Sequence, residues 1–186
     1  IHKSKGLEFP VVFLASTGKK FNMRDLNSPI LLHQDIGFGV QFIDSEIRIE
    51  YSTPTKEAVR IKSKKETISE EMRVLYVALT RAKEKLIITG ISRDLEKSMN
   101  DKEKLLDMYK KSDSMQMSID SIENAEIPNF KLNSNLVGKY TSYLDWLEIV
   151  YQYNKENGIN DVLELHTYNK SNLIKEINNI RNEFLF

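Results

Sequence analysis

Two short segments of this chain place a charged side chain at a turn or at a helix end, where it could meet a ligand. The first is Lys5-Gly6-Leu7-Glu8, immediately ahead of the apolar run Pro10-Val11-Val12-Phe13-Leu14-Ala15. Gly6 reads as a turn residue that accepts positive φ, and Glu8 as a carboxylate placed just before a strand; any α/β domain could contain such a turn. The second is Thr80-Arg81-Ala82-Lys83, at the end of a long helical pattern. The Arg81 guanidinium is a planar, permanently charged fork that suits the negative charge spread over a transferring phosphoryl group. Its plainer alternative is a surface arginine paired with Glu84, a contact worth little. Arg73 has three open readings: it orients Glu8, it supports a phosphate site, or it only braces its own helix.

Other candidates have plainer explanations. Tyr140, Tyr143, Trp146 and Tyr151 could stack bases, each stack being worth about 1–3 kcal/mol, but their helical spacing and scarce basic neighbours favour packing. Lys19, Lys20, Lys62, Lys64 and Lys65 are possible phosphate contacts, and such runs usually mark a solvated face. His2, His33 and His166 lack ligand spacing, so no metal site is expected. No Gly-x-x-x-x-Gly-Lys-[Ser/Thr] loop occurs in the sequence, so the chain cannot cradle ATP by itself.

The elements that must position these residues can be read from periodicity. Pro10 to Ala15 and Lys85 to Ile91 are short apolar runs, expected as strands buried on both faces of a parallel sheet. Ile30 to His33 and Phe38 to Ile43 are shorter strand candidates. Thr53-Pro54 predicts a helix start, with Thr53 as cap and Pro54 at the first helical position, and the helix should run to about Lys83. Met72, Leu75, Tyr76 and Leu79 fall at i, i+3, i+4 and i+7, so they are expected to form its buried stripe, Tyr76 included. Arg93 to Lys111 has good helix formers, and Tyr140 to Tyr151 places Tyr143, Trp146, Leu147 and Val150 on one helical face. Val162 to Tyr168 is a strand candidate, and a last helix is expected from about Ser171 to Phe184. The expected divisions are 1–111, a linker or irregular segment at 112–138, and a mostly helical extension at 139–186.

Composition sets outer limits. The 27 basic and 27 acidic residues among 186 cancel, so any nucleic-acid contact must be local rather than drawn by a global field. With no cysteine, disulfides and thiolate metal sites are excluded. No apolar run approaches the roughly 20 residues of a membrane span. Because Ile1 lies directly against the first segment, the chain is expected to be a piece of a longer protein. Such a piece should expose a sheet edge or an apolar face.

His2-Lys3-Ser4-Lys5-Gly6-Leu7-Glu8, followed by Glu70-Glu71-Met72-Arg73-Val74-Leu75-Tyr76-Val77-Ala78-Leu79-Thr80-Arg81-Ala82, resembles two signature motifs of the UvrD/Rep/PcrA-like DNA helicases. Lys20 to Asn27 and Ile30 to Phe42 look most like the large, A-type component of the bacterial ATP-dependent helicase/nucleases. The resemblance implies an α/β fold in which residues 1–111 are part of a second RecA-like lobe, a P-loop NTPase-type parallel sheet flanked by helices. It assigns Arg81 to the γ-phosphate as the catalytic finger, with Gly6, Glu8 and Arg73 also at the ATP site and Glu8 on the ribose. His2 and Lys5 fall on the DNA side. Implied ligands and partners are ATP with magnesium, held mainly by a first lobe of the same polypeptide, a second helicase/nuclease subunit, and single- and double-stranded DNA. The resemblance further implies a cytoplasmic setting without membrane attachment, 3′ to 5′ unwinding in double-strand-break repair, and a nuclease domain beyond residue 186. The isolated piece is expected to be inactive.

Overall fold

A computed structural model describes residues 6–116, 137–159 and 162–183. Strand β1 (Phe9–Leu14) is followed by a 3₁₀ turn (Arg24–Asn27), β2 (Ile30–His33), β3 (Gly37–Asp44) and β4 (Ile49–Ser52). Then come α1 (Pro54–Leu79), β5 (Ala82–Ile88), α2 (Leu95–Gln116), α3 (Tyr143–Glu156) and α4 (Lys170–Glu183). No helix among the described residues is long and apolar enough to cross a membrane.

β1 and β5 form a parallel pair running from Phe9 opposite Ala82 to Leu14 opposite Ile88. A parallel pair needs a long crossover, and everything from β2 to α1 supplies it. The expectation of a strand buried on both faces is corrected here. Phe13 is 70% exposed, and Phe9 and Val11 are also exposed, because no described helix packs closely on that face of the pair; β5 is the only described strand beside β1. The described parallel sheet therefore has two strands, and a separate antiparallel sheet of order β2-β3-β4 stands in the crossover.

Strand alternation gives that second sheet two unlike faces. Leu31 and Gly39 are buried on the side of α1. A Cβ on Gly39 would lie 2.4 Å from the Lys56 Cα, so only glycine admits this close approach. The opposite face carries Ile30, Leu32, Phe38, Val40, Phe42, Ile49 and Tyr51, all exposed. Cross-strand register aligns Ile30 with Val40, Leu32 with Phe38 and Phe42 with Tyr51, and the last two rings stack at 4.8 Å.

α1 begins as its sequence predicts: the Thr53 hydroxyl accepts from the Lys56 amide, with Pro54 opening the helix. Its inward stripe differs from the expected one. Leu75 is buried and Leu79 half-buried, but Met72 and Tyr76 are exposed, Tyr76 by 68%. Ile68, Leu75 and Leu79 form the inward row instead, packing with Phe21 and Trp146. Leu75 and Tyr76 are 100° apart on the helix, so a core contacted along a narrow line takes one and leaves the other outside. α1 also stops at Leu79 rather than Lys83, since β5 must begin at Ala82.

The core receives its other wall from residues 137–150. The Phe21 amide donates to the Thr141 carbonyl at 2.7 Å and the Leu144 amide to the Thr17 carbonyl at 2.9 Å. Trp146 lies 4.9 Å from the Phe21 ring and Tyr143 lies 5.0 Å from it, so these aromatics pack, as their helical spacing predicts.

By compactness the chain divides into Ile1–Val150 and Tyr151–Phe186. α2 continues through Gln116, so the expected linker begins inside a helix, while 117–136 lies outside the described residues. In the second unit the strand expected at Val162 to Tyr168 is corrected: that stretch is irregular. A strand needs a neighbour for its backbone groups, and the described residues of this unit supply none. α4 then presents Leu173, Ile174, Ile177 and Ile180 to solvent.

Candidate functional site

The β1–β5 register brings the two motif segments into contact. The Phe9 amide donates to the Arg81 carbonyl at 2.8 Å, which sets Gly6-Leu7-Glu8 alongside the turn between α1 and β5. Gly6 has φ +86, and a Cβ there would meet nothing within 4 Å. Glycine is therefore required by the backbone conformation and not by local crowding.

Arg81 projects from that turn. Its Nε donates to the Val77 carbonyl at 2.9 Å, Nη1 to the Leu7 carbonyl at 3.2 Å and Nη2 to the Thr80 hydroxyl at 3.1 Å. All three acceptors are neutral, and the Glu84 carboxylate is not among them. The cation is thus oriented at the end of α1, where the helix dipole favours positive charge, with no ion-paired carboxylate among the described residues. A guanidinium held this way can take an anionic oxygen as an additional partner.

Glu8 lies across the strand pair from Lys83, with 3.5 Å between Oε2 and Nζ and both side chains more than half exposed. An ion pair this exposed contributes little, so its carboxylate is accessible to hydroxyl donors. Lys83 was not singled out as a partner of Glu8 from sequence because only the pairing of β1 with β5 brings the two segments within ion-pair distance. The alternation of Arg81 and Lys83, two residues apart at the start of a strand, was the available signal.

Arg73 does not join this group. It is 73% exposed and pairs with Glu70 at 3.2 Å, about 12 Å along the helix from Arg81 at 1.5 Å per residue. Of its three readings, the contacts match the brace of its own helix. His2 and Lys5 lie outside the described residues. Glu71, between these arginines in sequence, receives a hydrogen bond from the Tyr143 hydroxyl and so ties α1 to α3.

One group among the described residues has the ligand types of a metal site: His33, Asp35 and Glu66, with one ligand atom from each within 4.8 Å of the others. Its hydrogen bonds argue against such use. His33 Nδ1 accepts from the amides of Asp35 and Ile36, so the proton resides on Nε2 and is donated to Glu66 at 3.0 Å. Metal ligation through Nε2 would move that proton to Nδ1, against two N–H groups. The Lys62 ammonium already occupies the Asp35 carboxylate and lowers its pKa, through the hydrogen bond first and the opposite charge second. These residues pin the β2–β3 hairpin to α1.

Similarity to known proteins follows the same two motifs. Residues 1–93 match the UvrD-like helicase C-terminal domain model. The A-type ATP-dependent helicase/nuclease subunit of Clostridium botulinum (strain Loch Maree / Type A3) is 39% identical over 95% of this chain and 14% of its own length. The protein of the same name from Clostridium novyi (strain NT) is 42% identical over 95% of this chain and 13% of its own length. That of Acetivibrio thermocellus is 46% identical over 79% and 10%. The chain thus spans about a tenth to a seventh of the length of these relatives.

Proposed function

Since this chain belongs to the UvrD-like helicase C-terminal domain family, we propose that it is a segment of one subunit of an ATP-dependent DNA helicase/nuclease, with residues 1–111 forming part of the second RecA-like lobe. The observation that carries the reading is the oriented, carboxylate-free guanidinium of Arg81, one strand register from the Glu8 carboxylate.

On this reading Arg81 reaches the γ-phosphate of ATP when a first lobe closes on this face, and Glu8 exchanges Lys83 for the ribose hydroxyls. Gly6 keeps the backbone low beside the nucleotide. His2 and Lys5 belong to the DNA side. ATP with magnesium supplies the phosphoryl transfer that drives movement along single-stranded DNA. The residues present fit only part of that ligand: one cation and one carboxylate, with no phosphate loop in the sequence. Phosphate cradling and magnesium are therefore assigned to the first lobe, and the 186-residue chain alone should not hydrolyse ATP. Arginine fingers are worth about 10³–10⁵ in rate, far beyond a surface ion pair. Unwinding coupled to nuclease action in double-strand-break repair, beside a second subunit in the cytoplasm, completes the reading.

A second reading has its own observation. Arg81 Nε donates to the Val77 carbonyl of the last turn of α1 and Nη1 to the Leu7 carbonyl, contacts that would suit a purely structural helix cap. Arg81→Ala in the full-length protein separates the two. The finger reading expects DNA-stimulated ATP turnover to fall by about three orders of magnitude with ATP affinity largely kept. Turnover within a few fold of wild type, with a lowered melting temperature, would identify a cap.

A further inference from the structure

We propose that Thr80 is a positioning residue for Arg81, whose hydroxyl fixes the plane of the guanidinium before nucleotide arrives. The inference rests on the finger reading of Arg81. Thr80 is the C-cap of α1, with φ −84 and ψ 9. Its hydroxyl lies 3.0 Å from the Tyr76 carbonyl and 3.2 Å from that of Val77. The Tyr76 carbonyl also accepts from the Thr80 amide at 3.0 Å and that of Val77 from Arg81 Nε, but a carbonyl can only accept, so the contact with them uses the single hydroxyl proton. Only lone pairs then remain on that oxygen, and Arg81 Nη2 donates to one of them at 3.1 Å.

The guanidinium is seated at three points, each nitrogen on a different oxygen: Val77 carbonyl, Leu7 carbonyl and Thr80 hydroxyl. Three separated contacts define a plane, which two would leave free to pivot. The carbonyls of Val77 and Leu7 come with the fold whatever side chains occupy those positions. Thr80 supplies the one side-chain member of the seat, and its β-branched χ1 is stiff where the arginine has several free torsions. A neutral hydroxyl does this without cancelling the charge, as a carboxylate in the same place would. Displacing a reacting group by about 1 Å can cost about a hundredfold in rate, so a seat that fixes the fork should be read in turnover more than in nucleotide affinity.

The test compares Thr80→Val, Thr80→Ser, Arg81→Ala and the double variant T80V/R81A in the full-length protein. It measures single-strand-stimulated hydrolysis of magnesium ATP and thermal melting. Thr80→Val should lower kcat about tenfold, the size expected for losing one hydrogen bond to a charged group, with KM for ATP within about twofold. Thr80→Ser should recover most of kcat, and T80V should lower R81A no further. Should T80V melt early, Thr80→Ala removes the same hydroxyl with a smaller change of shape. The proposal is overturned if T80V turns over like wild type while R81A collapses, if Ser fails to rescue, or if T80V lowers the R81A background by its own full factor. An R81A enzyme with near-normal turnover instead removes the finger reading on which the proposal stands.

Discussion

The Lys102 side chain is 3% exposed, and its ammonium donates to Asp145 at 3.1 Å, to Ser98 at 2.8 Å and to Glu148, itself 7% exposed. Ser98 passes its own hydroxyl proton to Glu148 at 2.8 Å, so the group is closed: every member has a partner and two charges of one sign share one of the other. Removing the ammonium alone leaves a buried carboxylate with one hydroxyl donor, a loss of about 3–5 kcal/mol for comparable pairs. Lys102→Ala should therefore lower the urea midpoint sharply, and Glu148→Gln in the same chain should return part of that loss. A midpoint unchanged in Lys102→Ala would show that the cluster is solvated. This cluster was illegible in the sequence, where Lys102 is one charge among many on a polar helix. Gly6, Glu8 and Arg81 were legible as candidates only through the two motifs that resemble the helicase family, and the β1–β5 pairing then sets their segments side by side.

α1 illustrates what periodicity can and cannot read. Its start was visible in Thr53-Pro54, since cap and first-turn chemistry are local. Its buried face was read too broadly: Leu75 and Leu79 lie on it as expected, while Met72 and Tyr76 fall on the side that faces outward, since which line of the helix meets the core depends on Phe21 and Trp146, distant in sequence. The same dependence on partners undid the strand expected near Val162 to Tyr168, while β2 and β3, joined by a short turn, were within reach, and β4 went unread. Tyr143 makes the α1–α3 contact testable. Burial, then the hydrogen bond to Glu71 and its negative charge, push the Tyr143 hydroxyl well above its ordinary value of 10.0. The folded state thus holds this proton after the unfolded chain has lost it. Its contribution is fully present below about pH 10 and is lost as pH rises from there toward the folded value. Tyr143→Phe should lower stability by about 1–3 kcal/mol at neutral pH, because the Glu71 carboxylate loses its donor, and should flatten the decline above about pH 10. Urea melts at pH values from neutral to strongly alkaline would show this. Parallel curves for the two proteins would remove the contact from the account.

At the scale of the molecule, charge and surface point in one direction. The formal net charge is zero with a pI near 7.0, so two copies meet at neutral pH without the repulsion that keeps charged proteins apart. The face of β2-β3-β4 turned away from α1 is a row of apolar side chains, with Leu32 at 79% and Phe38 at 66% exposed. The charged residue aligned with it, Asp44, spends its carboxylate on the amides of Glu46 and Ile47 in its own turn. Contiguous apolar patches of this kind are uncommon on monomeric proteins, and two such sheet faces can pack against each other with their strands roughly aligned. The 186-residue chain is therefore expected to self-associate through this face, its average mass in sedimentation equilibrium rising with concentration at neutral pH. Leu32→Lys or Phe38→Lys should return it to monomer, since each would bring two ammonium groups into one dry interface. Neither should lower thermal stability by more than about 0.5 kcal/mol, the usual range for exposed positions. A constant monomer mass would remove the self-association, and an association that both lysine variants leave intact would move the contact elsewhere, with the β1–β5 edges unpaired among the described residues next to be tested.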